Sequence, residues 1–527
     1  MQLRPGLSAG LITVPAYFVG TLLIGWFARR QTHNANAYLN ASRSLPLWIV
    51  SAAYLAANCG ALEIVGLSAM AAQYGVQAFN FYWIGAIPAM VFLAIWMMPV
   101  YRRSGIRSVP EYLELRYGPG LRLLNACVLA IMMLLLAGIS LYAMAQVLQV
   151  VLGVTFGASI LAADSVVLVY VLLGGIRATI YNEVFQLAVM LAGLVPLAVR
   201  CSRIGTIGLG QTLPRMHLWT STPLASRAAP MDVVGVVLGL GFVLSFSYWC
   251  TDFVLMQRAF TARTDLAARQ VPLWAGLGKL GFSMIVVIPG LAAYWFIPGL
   301  GTSQRFDQAL PALMTRFYGP GMLGLGMTAL MASLMSGLAA NISAFAAIFT
   351  GDIYRSRLVL NRSDRHYLRV GRIAVVAAAV ISLFTSYLDF LFSNLMEQVQ
   401  LIFSVFGAPF WAIFLLGMAT RRANERGAIA GFVSGSSVAL LHLAAVGLGW
   451  LHYGSVMNAN FHVAIYAFCT ALLVGWLASG SRERKCATDA GLIFDWTAPL
   501  SELSNPRLWI LAAALLCSCA FLNWVWR

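Results

Sequence analysis

The sequence predicts an all-α protein that crosses a lipid bilayer about fourteen times. Three observations predict it. First, the 527 residues are 60% hydrophobic and only 10% charged. An ordinary soluble chain is about 25% charged, so the polar surface that a soluble fold requires is missing. Second, the apolar residues come in runs of roughly 20, the length an α-helix needs to cross the hydrocarbon core. Third, the 34 Lys and Arg residues are confined to the ends of runs and the stretches between them, with Lys279 the exception. The longest of these stretches are 203–231, 297–320 and 480–507, too short for a soluble domain, so one integral membrane domain is expected over 1–527.

The first span, 8–28, ends in Ala28-Arg29-Arg30. Its basic residues follow the apolar run instead of preceding it, so it reads as a retained helix and not as a cleaved signal. The second, 46–70, contains LAANCGALEIVGLSAM, with Asn58 and Gly60 in mid-membrane. The third, 79–101, opens with the aromatic cluster Phe79, Phe81, Tyr82 and Trp83. The fourth to sixth are 121–152, 157–174 and 184–200. The seventh, 232–256, reads GLGFVLSFSYWCTDF and holds Ser247, Thr251 and Asp252. The eighth, 272–298, carries Lys279, and the ninth to eleventh are 321–350, 371–388 and 394–418. The last three are 427–449, 462–479 and 508–525.

Counting Lys and Arg in alternate loops gives 25 on one side, including the groups Arg102 to Arg122, Arg258 to Arg269 and Arg355 to Arg372, and eight on the other. Basic loops stay in the cytoplasm, so the asymmetry places the richer set there and both termini outside, in a plasma or inner membrane. The net charge of +16 is therefore not a nucleic-acid signature. The eight cysteines form no CxxC pair and most lie in spans, so neither a disulfide framework nor a metal cluster is expected. The six His are scattered and assemble no catalytic set, which argues against an enzyme. No obligate protein partner is inferred.

Three acidic residues lie well inside spans: Glu63, Asp164 and Asp252. An ionisable group there costs about 2.5–3.5 kcal/mol on insertion scales, so such groups mark a pathway or a site inside a bundle. Gly and polar residues interrupt the second and seventh spans, five apart in order. Interrupted spans in corresponding places of two halves point to a transporter's binding site. The expected repeats are 46–200 and 232–418, inverted relative to each other because each holds an odd number of spans, with 8–28 and 427–525 as extra helices. Gly60 alone reads as a residue that lets helices pack closely; with Asn58 and Glu63 beside it, a site is the stronger reading.

Several stretches carry a resemblance. They are ASRSLPLWIVSAAYLAANCGALEIVGLSA, SGIRSVPEYLELRYG, GGIRATIYNEVFQ, YWCTDFVLMQRAF, ASLMSGLAANISAFAAIFTGDIY and FLLGMATRRANERGAIAG, in order from about residue 38 to about residue 435. Together they resemble the sodium:solute symporter family, and within it the sodium/sugar branch. The resemblance implies a leucine-transporter-type fold with spans 2–11 as its core, and alternating access driven by sodium. It implies a sodium site of backbone carbonyls at Ala56, Cys59 and Ser333 with two adjacent hydroxyls on the ninth span. Ser336 supplies one hydroxyl; the next position is Gly337, which has none. Water or the Ser333 hydroxyl can fill the gap, or coupling has moved to another ion. Glu183 stands where the family carries an Asp linked to sodium release or an extra sodium site; it equally reads as an acid favoured by a helix N-terminus.

The sugar branch further implies substrate contacts at Asn58, Glu63, Tyr82, Asp252, Lys279 and Gln400. Hydroxyls both donate and accept, so a polyol suits this set. Tyr82 replaces an acid and Glu63 stands where Gln or His is usual, while Gly85 replaces a small polar residue. Asp252 and Lys279 also read as an ion pair between the seventh and eighth spans. For the other aromatic residues of the third span, packing is the plainer reading. The expected function is sodium-driven uptake of a sugar or sugar-like polyol. The alternative is a proton-coupled or uncoupled carrier of an amine, organic acid or vitamin, with Glu63 as the proton carrier.

Overall fold

The computed structural model describes residues 45–60, 62–106, 108–152, 155–173, 176–205, 217–219, 230–480, 492–494 and 506–526, with most of 13–27. These residues are almost entirely helical and contain no β-sheet. In lipid each backbone amide must be satisfied within its own segment, and helices do this. Ten helices among the described residues are long and apolar enough to cross a membrane, and two bent pairs raise the number to twelve. The expected first span, 8–28, is described only in part and is helical where described. The expected fifth span is the 18-residue helix Phe156–Leu173. Fourteen crossings are reached only if both of these span as well.

The ninth helix continues further than its apolar run. Pro320–Ile348 leads into a π-helical stretch, Phe349–Leu358, that carries Arg355 and Arg357 in its last turn. Cations there complement the helix dipole, so the helix outlasts its hydrophobicity.

The chain divides into two compact units, each built from separate stretches. The first comprises Met1–Ala78, Ala130–Met216 and Leu280–Gln398. In it the sixth span, Ile176–Gly205, lies against the ninth and against Leu47–Asn58 of the second. Small residues set these approaches: a Cβ on Gly193 would fall 2.4 Å from Ala329 Cβ, and one on Gly290 2.4 Å from the Ser68 carbonyl oxygen. The Tyr318 hydroxyl donates to the Gly193 carbonyl at 2.7 Å.

The second unit comprises Phe79–Leu129, His217–Lys279 and Val399–Arg527. Its twelfth span, Glu425–Gly447, meets the thirteenth, Val456–Ala478, along Gly427, Gly431 and Gly435. A Cβ on any of the three would come within 2.7 Å of a neighbouring backbone carbonyl. Three glycines at four-residue spacing share one helix face, so two backbones can touch there. Asp232 opens the seventh span by accepting from Gly235 N at 2.5 Å, and its other oxygen lies 2.6 Å from His462 Nε2. Arg116 is buried and donates to the carbonyls of Gly417, Thr420 and Ala423 at the end of the eleventh span. A helix leaves its last four carbonyls unpaired, and one guanidinium with five donors serves three acceptors here.

Candidate ion and solute sites

Both interrupted spans are broken in the structure. In the first unit, Leu47–Asn58 and the helix beginning at Leu62 meet at 55°. Cys59 N still donates back to Leu55 O at 3.0 Å, while Glu63 and Ile64 both donate to Gly60 O at 3.2 and 3.0 Å. Asn58 is thus the last residue of one helix, and Glu63 lies in the wide π turn Leu62–Gly66 that starts the next. Such turns recur at functional positions because they widen the helix and re-aim side chains. Ala56, Cys59 and Glu63 are all buried.

The ninth span supplies the facing wall. The Ser333 hydroxyl donates to the Cys59 carbonyl at 2.8 Å. A Cβ on Gly60 would meet Gly337 Cα at 3.3 Å and the Ser333 carbonyl at 3.8 Å. Gly337, read from sequence only as a lost hydroxyl, is therefore also where the broken span touches its neighbour. Ser336 is 3% exposed, and its hydroxyl has no hydrogen-bond partner among the described residues. An orphaned buried hydroxyl is rare and requires an explanation; a sodium ion beside the Cys59 and Ser333 oxygens supplies one. A hard cation takes oxygen ligands of this kind. Glu183 is buried on the sixth span, whose helix packs against both of these elements. Asp164 is buried on the fifth, where its Oδ1 has no hydrogen-bond partner among the described residues.

In the second unit the seventh span breaks between Gly235–Thr251 and Phe253–Ala259, at 52°. Asp252 is the break itself. Its backbone is extended (φ −65°, ψ 128°), and its carboxylate accepts from Leu255 N at 3.0 Å as the cap of the second half. The described contacts are a helix cap for the Asp252 carboxylate and two aromatic faces for the Lys279 ammonium. Lys279 Nζ sits 5.7 Å from the Tyr82 ring centroid and 5.4 Å from that of Trp249. Lys279 is fully buried, so these cation–π contacts act in a desolvated setting, where they are strongest. The carbonyl of Cys250, next to the break, accepts from the Tyr101 hydroxyl at 3.0 Å.

Gln400 lies on Leu395–Ile402, with its carbonyl accepting from Ser404 Oγ at 2.6 Å. Gly85 faces Ser245, whose hydroxyl would lie 2.4 Å from a Cβ at that position. The small polar group expected at 85 is absent because the seventh span brings its own. Phe79 and Trp83 stack at 4.3 Å, and Phe81 meets Phe461 at 6.1 Å, which fits packing. Of the six expected solute contacts, Asn58 and Glu63 belong to the first unit and Tyr82, Asp252, Lys279 and Gln400 to the second. Trp249 and Tyr101 were missed in the sequence. Trp249 stood inside the quoted YWCTD run, but an aromatic residue in an apolar span carries no signal that separates site from packing.

The profile of the sodium:solute symporter family matches residues 38–435. The chain belongs to that family. Among its relatives, the sodium/glucose cotransporter of Vibrio parahaemolyticus is 28% identical over 471 residues, covering 83% of this chain and 86% of that one. The sodium/mannose cotransporter of Bos taurus is 28% identical over 481 residues, covering 83% and 79%. The structure of a Na+-coupled sialic acid symporter in a substrate-bound outward-open state matches with TM-score 0.77 at 18% identity, over 91% of this chain and 99% of that one. Mhp1, a nucleobase-cation-symport-1 transporter, matches with TM-score 0.51 at 15% identity, over 85% and 98%. The symporter thus has the leucine-transporter-type fold expected of it. It is a multi-pass membrane transporter with sodium as coupling ion, and not an enzyme.

Proposed function

We propose that this symporter takes up a sugar or sugar-like polyol together with sodium. The observation that carries the reading is Lys279: a fully buried ammonium against the faces of Tyr82 and Trp249, beside a broken span. An ammonium offers three donors to hydroxyl oxygens, and aromatic faces suit the C–H surface of a sugar ring. The relatives that transport glucose and mannose point the same way. The solute contacts in this reading are Asn58, Glu63, Tyr82, Asp252, Lys279 and Gln400. The sodium ligands are the carbonyls of Ala56, Cys59 and Ser333 and the hydroxyl of Ser336, with Glu183 on the ion's path. The repeats are 46–200 and 232–418. The basic loops face the cytoplasm of a plasma or inner membrane, and both termini lie outside.

Sodium favours whichever conformation it binds best, as any ligand does. Uptake of labelled hexoses, sugar acids and polyols into proteoliposomes, in sodium or in choline, tests the reading. Sodium-dependent accumulation of one member, abolished in Lys279→Met, is expected. Accumulation that is unchanged in Lys279→Met would remove Lys279 from the solute site. A panel that is not taken up, beside an amine or organic acid that is, would overturn the sugar assignment.

A further inference from the structure

Outside the ion and solute residues, the first unit buries three carboxylates near one arginine. Asp307, Asp389 and Glu397 are each 1% exposed. Glu397 is well served. Its Oε1 accepts from the Tyr74 hydroxyl at 2.9 Å and from Gln73 Nε2 at 3.4 Å, and its Oε2 accepts from the Ser393 hydroxyl at 2.5 Å. Asp307 is half served. Its Oδ1 accepts from Leu395 N at 3.0 Å, while its Oδ2 meets Arg305 only at 3.7 Å and has no hydrogen bond. Asp389 is not served at all: neither carboxylate oxygen has a hydrogen-bond partner among the described residues. Its charged neighbours are Asp307 and Arg305. Arg305 spends donors on the carbonyls of Asp389 and Phe392 and lies over the rings of Tyr142 and Phe390.

The charges do not balance. Three ionised carboxylates against one guanidinium would leave two negative charges buried, and an uncompensated buried charge is strongly unfavourable. Among the described residues no three His, Cys, Asp or Glu side chains are grouped to hold a metal ion. A proton resolves the imbalance. It converts an unpartnered carboxylate into a neutral acid that can donate to a neighbouring one.

We propose that Asp307 and Asp389, held between Arg305 and Glu397, form a proton-binding site distinct from the sodium ligands. Burial pushes the Asp307 carboxyl from its ordinary 3.8 up to about 7, with the Leu395 amide and Arg305 pulling the other way and the Glu397 charge adding to the rise. The groups that face the pair are Arg305, Glu397 and the phenol of Tyr142, while the Tyr74 phenol donates to Glu397. The site ties three segments together. Asp307 comes from the turn Phe306–Gln308, Asp389 from the end of the tenth span, and Leu395 and Glu397 from the start of the eleventh. Its protonation state therefore acts on the first turn of the helix that carries Gln400.

The sign follows from linkage. The folded protein holds the proton in a range where the unfolded chain has released it, so stability falls as pH rises from about 4 to about 7 and levels off above. Per proton, the unfolding constant rises about tenfold for each pH unit in that window. The test is thermal unfolding of the purified full-length chain against pH at constant sodium, with infrared detection of the protonated carboxyl stretch. Wild type should lose stability across the window and lose a carboxylic-acid band in step. Asp307→Asn and Asp389→Asn should each flatten the slope and remove the band, whereas Asp265→Asn, at an exposed ion pair with Arg102, should keep both. Two results would overturn the proposal: no protonated-acid band at about pH 5–6, where ordinary carboxyls are ionised, or wild-type slopes in both cluster variants. Neither readout depends on which solute is carried.

Discussion

Asp252 shows how one side chain carries two separable duties. Its carboxylate caps the second half of the seventh span, and its charge is the expected solute contact. Asn caps a helix about as well as Asp, whereas Ala loses about 1 kcal/mol. Asp252→Asn should therefore keep the melting temperature and abolish uptake, while Asp252→Ala should lower both. Normal uptake in Asp252→Asn would reduce the residue to a cap. Ser336 makes the same kind of case for sodium. Its hydroxyl is buried without a described partner, and a bond to a charged group is worth about 1.5–3 kcal/mol. Ser336→Ala should then raise the sodium half-saturation roughly 10- to 100-fold. Gly337→Ser, which restores the second hydroxyl of the family pattern, should lower it; an unchanged value would remove position 337 from the ion's ligand sphere. The chemical type of these residues was legible in the sequence, because a polar residue in an apolar run has few alternatives. Their partners were not. That Asp252 caps a helix follows from the extended backbone at 252, which the sequence does not show.

At the level of elements, the breaks in the second and seventh spans were legible because Asn, Gly, Ser and Asp interrupt long apolar runs. The helix of the ninth span continues past its apolar run to Leu358, and Arg355 and Arg357 complement its dipole there. The glycine stripe of the twelfth span and the Arg116 anchor carried no readable signal: a glycine in a span and an arginine in a loop are both commonplace. Their importance lies in what they touch. Arg116→Ala strands two buried carbonyls, Gly417 and Ala423, and the part-buried one of Thr420, a buried one costing about 1–3 kcal/mol, so the melting temperature should fall by several degrees. Sodium should still stabilise that variant, because the arginine lies in the second unit and the expected ion ligands in the first. Loss of the sodium response would show that the end of the eleventh span communicates with the ion site. Gly431→Leu should destabilise more severely, since even a Cβ there would lie 2.5 Å from the Ala471 carbonyl; chemical denaturation measured beside Gly447→Leu, where nothing lies within 4 Å, is the comparison.

For the whole molecule, sodium binding is a stability statement. A ligand specific to the folded state stabilises it by about 2.7 kcal/mol at a hundredfold excess over Kd. Sodium chloride should therefore raise the melting temperature above that in choline chloride at equal ionic strength, and Ser336→Ala should shift the response to higher concentration. Equal melting in the two salts would contradict specific sodium binding. The sequence by itself determined that this protein lives in a bilayer, that its second and seventh spans break, and which polar residues lie in them. Those features depend on transfer free energies and on local backbone chemistry, which each segment carries in its own residues. Only the tertiary structure decided that Gly337 meets Gly60, that the Ser333 hydroxyl turns to Cys59, that Lys279 rests on two aromatic rings, and that Asp307 and Asp389 meet at Arg305 with Glu397 near Asp307. Each of these joins residues far apart in the chain, and the energy of a buried polar group depends on which neighbours desolvate and pair it, a property that no single segment holds.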